Sequence, residues 1–371
     1  MLKVEIFPCF DKDIILMGMQ NEFTRQHLLG ELYLIISKTI RERRSIRKFN
    51  GTPVEKDLVI SLLHKAASLY VAQETPKWRC IYYGTYESRQ KLAESMTVKL
   101  KEGKLGKLGL NKMVDFLTKK VADTPAHLIF IAESAVTQRQ SDENYAAVCS
   151  IMQNFQLLGW EHGLGMLWYT EQIIQSKSFF KEIGLREGER FAGILNIGYF
   201  EKTPRTRKRR TPAEQKWTVI GGEDRLYSDN YRVTSQSVLE LLNDAVWAPN
   251  DGLREPWRFI YVTGNEAPGI LQTSSRDAAF LLIVAKEEAD LHKQEEDYAA
   301  ICCLVQNFLL LVNSKPWHAR RMIPEWIYDQ EQRKLFGVRP QERIVAVLEL
   351  GEDDQHSNSV STPSMVNITH L

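Results

Sequence analysis

Residues 126–158, AHLIFIAESAVTQRQSDENYAAVCSIMQNFQLL, align without a gap on residues 279–311, AFLLIVAKEEADLHKQEEDYAAICCLVQNFLLL. Tyr145 falls on Tyr298, Gln153 on Gln306 and Asn154 on Asn307, an offset of 153. A second block, residues 53–85, lies on residues 232–264 at an offset of 179, with Trp78 on Trp257. No local feature constrains the fold as much, because whatever one half builds the other must also be able to build. The larger upstream offset gives the first half 26 more residues between its blocks, within 86–125.

Both halves read in one order. A helix with apolar Leu58, Ile60, Leu62, Leu63 and Ala66 precedes a loop and a β-rich run, CIYYG or FIYVTG. A variable helical stretch, a strand (LIFIA or LLIVA), a long helix and a closing strand (AGILNIGYF or IVAVLELG) follow. The pattern predicts an α+β fold, twice over. With no long flexible linker between them, the halves are expected to pack as a fused dimer about a pseudo-twofold axis, giving a monomeric chain. The divisions that follow are an N-terminal arm at 1–30 without a counterpart, a first repeat at 31–203, a basic linker at 204–227, a shorter second repeat at 228–353 and a tail at 354–371.

Composition narrows the function classes. A net charge of +1 across 371 residues gives no surface-wide field for nucleic acid. The apolar runs at 32–36 and 308–312 fall short of the roughly 18 residues a membrane helix needs. No secretory leader is read at the start, so a cytoplasmic protein is expected. Five cysteines (Cys9, Cys80, Cys149, Cys302, Cys303) without CxxC spacing read as reduced, buried thiols. His64, His127, His162, His292 and His318 are scattered, so neither a metal site nor a nucleophilic triad is expected.

The segment RERRSIRKFNGTPV (41–54) places Arg43, Arg44, Ser45 and Arg47 within five residues. Guanidinium groups interleaved with a hydroxyl suit a phosphate, although a solvated helix end has the same composition. The run RTRKRR (205–210) is compatible with a basic patch or a soluble linker.

Taken with an Ala-Ala helix, a loop ending in PW and a QN helix leading into GLGMLWYTE, the segment RRSIRKFNGTPV resembles the nitroreductase-like flavoproteins, in tandem over nearly all of 31–353. The resemblance implies FMN bound between two subunits of a dimer, here the two repeats. It assigns phosphate, ribityl and pyrimidine contacts to Arg43, Arg44, Ser45 and Arg47, with Arg47 near the N1 and C2 carbonyl region. It assigns phosphate closure to Lys208 and Arg210 ahead of Pro212, and contacts on the dimethylbenzene and N5 side to Trp168, Tyr169, Thr170 and Glu171. Its cross-subunit loop corresponds to APNDGLREPW, hence Pro249, Asn250, Asp251 and Leu253. That loop departs from the family pattern: Asn250 and Asp251 replace small hydroxyls, Leu253 stands where Asn is usual and Glu255 where Gln is usual.

The implied activity is hydride transfer from NADH or NADPH through flavin N5 to a small organic acceptor, in ping-pong order. An FMN-binding protein without turnover, and a specialised flavin oxidase or dehalogenase on the same fold, are the alternatives. The repeats have diverged unequally. Gly222, Glu223 and Leu226 stand where the first repeat has Arg43, Arg44 and Arg47, and the first repeat has SLYVAQETPKW where the second has APNDGLREPW. A carboxylate beside a phosphate is repulsive, so one FMN per chain is expected.

Overall fold

The computed structural model describes residues 22–71, 74–102, 111–204, 210–221, 233–263, 269–271, 278–315, 317–352 and 366–370. In chain order it contains helices α1 (Glu22–Glu42) and α2 (Lys56–Ser68), strand β1 (Trp78–Tyr83), helices α3 (Tyr86–Glu102) and α4 (Asn111–Ala122), and strand β2 (Ala126–Glu133). Helix α5 (Gln138–Glu161), β3 (Leu164–Tyr169), α6 (Lys177–Glu182), β4 (Glu189–Tyr199) and β5 (Trp217–Ile220) follow. The rest comprises α7 (Ser235–Ala245), β6 (Trp257–Thr263), β7 (Ala279–Lys286), α8 (Leu291–Val312), β8 (Trp317–Met322), α9 (Gln330–Lys334), β9 (Glu342–Glu352) and β10 (Ile368–His370). Among these helices none is long and apolar enough to cross a membrane.

Two compact units emerge, and they divide the chain differently from the repeat boundaries. One comprises 43–207 with 361–371, the other 1–42 with 208–360. Each holds a five-stranded sheet, in the orders β10-β1-β2-β4-β3 and β5-β6-β7-β9-β8. The edge strands β5 and β10 lie in segments the sequence reads as linker and tail. Trp217 pairs in parallel with Phe259, and Ile368 with Cys80, positions equivalent under the offset of 179. The segment after each repeat's closing strand thus completes the sheet of the other repeat. The indole of Trp217 stacks on Tyr261 at 5.5 Å, giving β5 an anchor in its new sheet.

The repeats share contacts in detail. Arg79 Nε and Nη2 donate to both oxygens of Glu189, at 2.7 and 2.6 Å; Arg258 does the same to Glu342, at 2.9 and 2.6 Å. Asn154 Nδ2 donates to the Ala66 carbonyl at 3.0 Å and Asn307 Nδ2 to that of Ala245 at 3.1 Å. Both sheets carry a bulge at the same place, between Phe130 and Ile131 and between Ile283 and Val284. These buried contacts explain why the asparagine persists in both copies: each amide satisfies a carbonyl in the last turn of the helix packed against it.

Helix α2 buries Val59, Leu62, Leu63, Ala66 and Ala67, so Leu62, Leu63 and Ala66 of the expected stripe are buried and Val59 and Ala67 take the places of Leu58 and Ile60. The spacing i, i+3, i+4, i+7, i+8 from Val59 is the better helical face, and Leu58 and Ile60 flank it. The insertion that only the first repeat has belongs to its core. Leu92 and Met96 of α3 join Ile81, Ile129, Phe179, Phe191 and Ile174 in one buried cluster. The described cysteines, Cys80, Cys149, Cys302 and Cys303, are buried.

Helix α1 packs on α7 and α8. Tyr33, Ser37 and Arg41, four residues apart and so on one face, converge on the fully buried carboxylate of Asp244. Tyr33 Oη donates to it at 2.7 Å and Ser37 Oγ at 2.5 Å, and Arg41 pairs with it. The residue that follows this anchored helix is Arg43.

His127, on β2, is also fully buried, with Nδ1 2.8 Å from Asn196 Oδ1 and Nε2 3.0 Å from the Val121 carbonyl. Burial, opposed by these contacts, pulls its pKa down to about 4. The unfolded chain, with an ordinary histidine near 6.5, binds the proton more readily. The stability this residue supplies is therefore complete above about pH 6.5 and declines as pH falls toward 4. His127→Gln is expected to flatten that limb of the melting-temperature profile; an unchanged slope between pH 4 and 6.5 contradicts the assignment.

Candidate flavin-binding segments

The segment 43–50 leaves α1 in extended form and lies along edge strand β3. Ile46 N donates to the Met166 carbonyl at 2.9 Å, Ser45 bridges Met166 in parallel, and Asn50 N donates to the Tyr199 carbonyl at 2.9 Å. Gly165 permits this approach, since a Cβ there would stand 2.5 Å from Ile46 Cγ1. Arg43 (6% exposed) and Ile46 turn inward, while Ser45 and Arg47 are exposed. Arg44 Nη1 donates to the Arg43 carbonyl at 2.9 Å, which steadies the turn out of the helix.

This placement brings Arg43, Arg44, Ser45 and Arg47 beside the strand that carries Trp168 and Tyr169. Burial raises the Tyr169 pKa, Glu171 raises it further, and the positive charge of Arg47 opposes them. The charges of Arg47 and Glu171 are thus both felt at Tyr169. Trp168 is half-buried and its Nε1 donates to the Ala192 carbonyl at 3.1 Å. Its indole fills the space over Gly193, where a Cβ would lie 2.2 Å from Nε1 and φ is 144°. Trp168 is thus a wall whose polar atom is already used. The Thr170 carbonyl accepts Gln175 Nε2 at 2.7 Å, and Lys99 Nζ of α3 donates to the carbonyls of Gln172 and Gln175, each at 3.1 Å. The insertion accordingly fixes the turn that follows β3.

The loop 248–256 lies in the other compact unit. Asn250 Nδ2 donates to the Ala248 carbonyl at 3.2 Å and its Oδ1 accepts Glu255 N at 3.1 Å. Residues Asp251–Leu253 form a short 3-10 turn, with Asp251 and Leu253 exposed and Pro249 half-buried. Leu253 (φ 56°) and Glu255 (φ 50°) occupy the left-handed region without being glycine. Asn, the usual residue of the resembling loops at the Leu253 position, tolerates that region far better. Leu253 is 39% exposed, so little packing is lost on replacement. Leu253→Asn is expected to raise unfolding stability by about 0.5–1 kcal/mol; a urea midpoint that stays put or falls contradicts the strain.

Glu255, noted in the sequence only as a departure from Gln, is the hub of this unit's polar network. Its buried carboxylate (7% exposed) accepts Thr211 N at 3.3 Å from each oxygen and stands 3.7 Å from Arg210 Nη1 and 3.8 Å from Lys216 Nζ. Arg210 Nη2 donates to the Ala248 carbonyl at 3.2 Å, and its guanidinium lies 5.7 Å from the Trp247 ring centroid. Arg210 is therefore engaged with the loop. Lys208 lies outside the described residues, as do Gly222, Glu223 and Leu226. Arg254 leans the other way, onto Asp297 at 3.0 Å and Glu296 at 3.3 Å.

With the two clusters laid out, comparison with known proteins decides the family. The profile of the nitroreductase family matches residues 40–199, the span that runs from the end of α1 to β4. The Bacillus subtilis (strain 168) protein named "Putative NAD(P)H nitroreductase YfhC" is 32% identical over 201 residues, 54% of this chain and 99% of its own length. The chain belongs to the nitroreductase family. As a nitroreductase it is an oxidoreductase with the α+β fold of that family. Among solved structures it is similar to a nitroreductase-like family protein from Bacillus cereus, at 39% identity over 50% of this chain and 96% of that one, with a TM-score of 0.46. It is also similar to an FMN-dependent nitroreductase from Clostridium difficile R20291, at 21% identity over 46% of this chain and 90% of that one, with a TM-score of 0.34.

Proposed function

We propose that this chain is an FMN-dependent NAD(P)H oxidoreductase that carries one flavin, drawing on residues of both repeats. The observation that carries the reading is the segment 43–47 laid against β3, which sets hydroxyl and guanidinium donors along the strand that ends at Tyr169. That donor set fits a phosphate monoester and a ring with carbonyl acceptors. Arg43, Arg44 and Ser45 would bind the phosphate and ribityl chain. The charge of Arg47 would face the pyrimidine side, where it stabilises negative charge on the ring.

Trp168 would wall the dimethylbenzene and N5 side, with Tyr169, Thr170 and Glu171 completing it. Pro249, Asn250, Asp251 and Leu253 would supply the second repeat's share. Arg210 is assigned to holding that loop rather than to the phosphate, which leaves Lys208 as the linker's phosphate contact. Bound FMN would supply the hydride chemistry between NADH or NADPH and a small organic acceptor. The protein binds, orients and tunes it, so no protein nucleophile is required. Support for combining the two clusters comes from the unequal divergence of the repeats, each lacking what the other keeps.

Anaerobic mixing of the FMN-loaded protein with NADH or NADPH tests the reading. Bleaching of the flavin band, and its recovery on adding a nitroaromatic or quinone acceptor, is expected. A chain that takes up no FMN, or whose flavin neither donor reduces, contradicts it.

A further inference from the structure

We propose that Glu255 is a positioning residue for the flavin, a role that rests on the reading above. Its backbone N–H holds the turn through Asn250, and its buried carboxylate ties that turn to the segment 210–216 through Thr211, Arg210 and Lys216. A left-handed conformation is unfavourable for an ordinary residue, so Leu253 and Glu255 hold it only because their surroundings impose it. The surroundings that do so converge on Glu255 from both sides. Asn250 Oδ1 accepts its N–H, and Lys216 Nζ donates to its carbonyl at 2.6 Å. Thr211 N donates to its carboxylate, which stands between Arg210 and Lys216. Arg210 in turn holds the start of the loop through the Ala248 carbonyl.

A carboxylate serves here where an amide does not. Burial presses the Lys216 pKa down while the Glu255 charge opposes it. The side chains of Arg210 and Lys216 are only 12% and 25% exposed. Without the negative charge between them, these two cations face each other in a poorly solvated place.

The first repeat cannot build the same device. At the offset of 179, Glu255 corresponds to Pro76, and a proline ring fixes φ near −65°. The positive φ that Glu255 adopts is closed to Pro76. The lock is thus confined to the repeat whose loop the proposed single site uses.

FMN titration and amide hydrogen exchange on the full chain, for Glu255→Ala, Glu255→Gln and Lys216→Met, test the proposal. Glu255→Ala is expected to weaken FMN binding about tenfold or more. It is also expected to speed exchange in 210–217 and 248–256 together. Glu255→Gln, which keeps an acceptor for Thr211 N, is expected to recover part of both effects. Should the alanine variant fail to fold, Glu255→Gln and Lys216→Met carry the test, each with a several-fold loss of FMN affinity and the same paired change in exchange. FMN affinity unchanged in all variants that fold overturns the positioning role. So does faster exchange in one segment alone. A wild-type chain that takes up no FMN overturns the flavin reading itself; the exchange experiment then still reports whether the two segments are locked together.

Discussion

Asp244→Ala is expected to destabilise the unit formed by 208–360 and α1 by about 3 kcal/mol. The carboxylate is fully buried and is the common acceptor for Tyr33, Ser37 and Arg41. Removing it leaves the buried Ser37 hydroxyl and the Tyr33 phenol without that acceptor, at about 1–3 kcal/mol for each group that stays dry. Arg41 is half exposed and rehydrates, which keeps the total below that of a closed buried ion pair. Asp244→Asn keeps an acceptor and is expected to cost about half as much. Urea unfolding followed by tryptophan fluorescence checks the prediction, and a midpoint within error of the wild type contradicts it. Because α1 runs directly into Arg43, the same substitution is also expected to weaken FMN binding.

Arg43→Ala is expected to raise the dissociation constant for FMN about 10- to 100-fold. A charge-assisted hydrogen bond is worth roughly 1.5–3 kcal/mol, and each 1.4 kcal/mol is a factor of ten. Arg47→Ala is expected to change affinity less and to lower the reduction potential of the bound flavin, since its positive charge is assigned to the ring. Equilibrium titration and a potential measurement separate the two roles. If both variants bind FMN as the wild type does, the segment 43–47 does not hold the cofactor.

What the sequence could and could not reveal follows from the range of the interactions involved. The repeat, the strand runs and the long QN helix are local patterns that burial enforces, and Asn154 and Asn307 do the same work in both copies. The exchange of β5 and β10 carried no comparable signal. Strands of four and three residues inside polar segments gain their order from an existing sheet edge, and only the position of that edge identifies them. Helix α1 crosses the boundary placed at residue 30 because its docking depends on Asp244, some 200 residues away in sequence. Arg43 to Arg47 and Trp168 to Glu171 were visible as motifs, and their adjacency along β3 is a property of the fold. The engagement of Arg210 with Glu255 was hidden for a further reason. It depends on a turn with two non-glycine residues at positive φ, which backbone propensity argues against.

The central claim is a single flavin site in a chain of two nitroreductase repeats. Release and quantification of FMN from protein reconstituted to saturation, expressed per chain, tests it most directly. One FMN per chain is expected, lost in Arg43→Ala at sub-saturating flavin. Two per chain would show that the second repeat's divergence has not closed its site, and none would remove the flavin from the account.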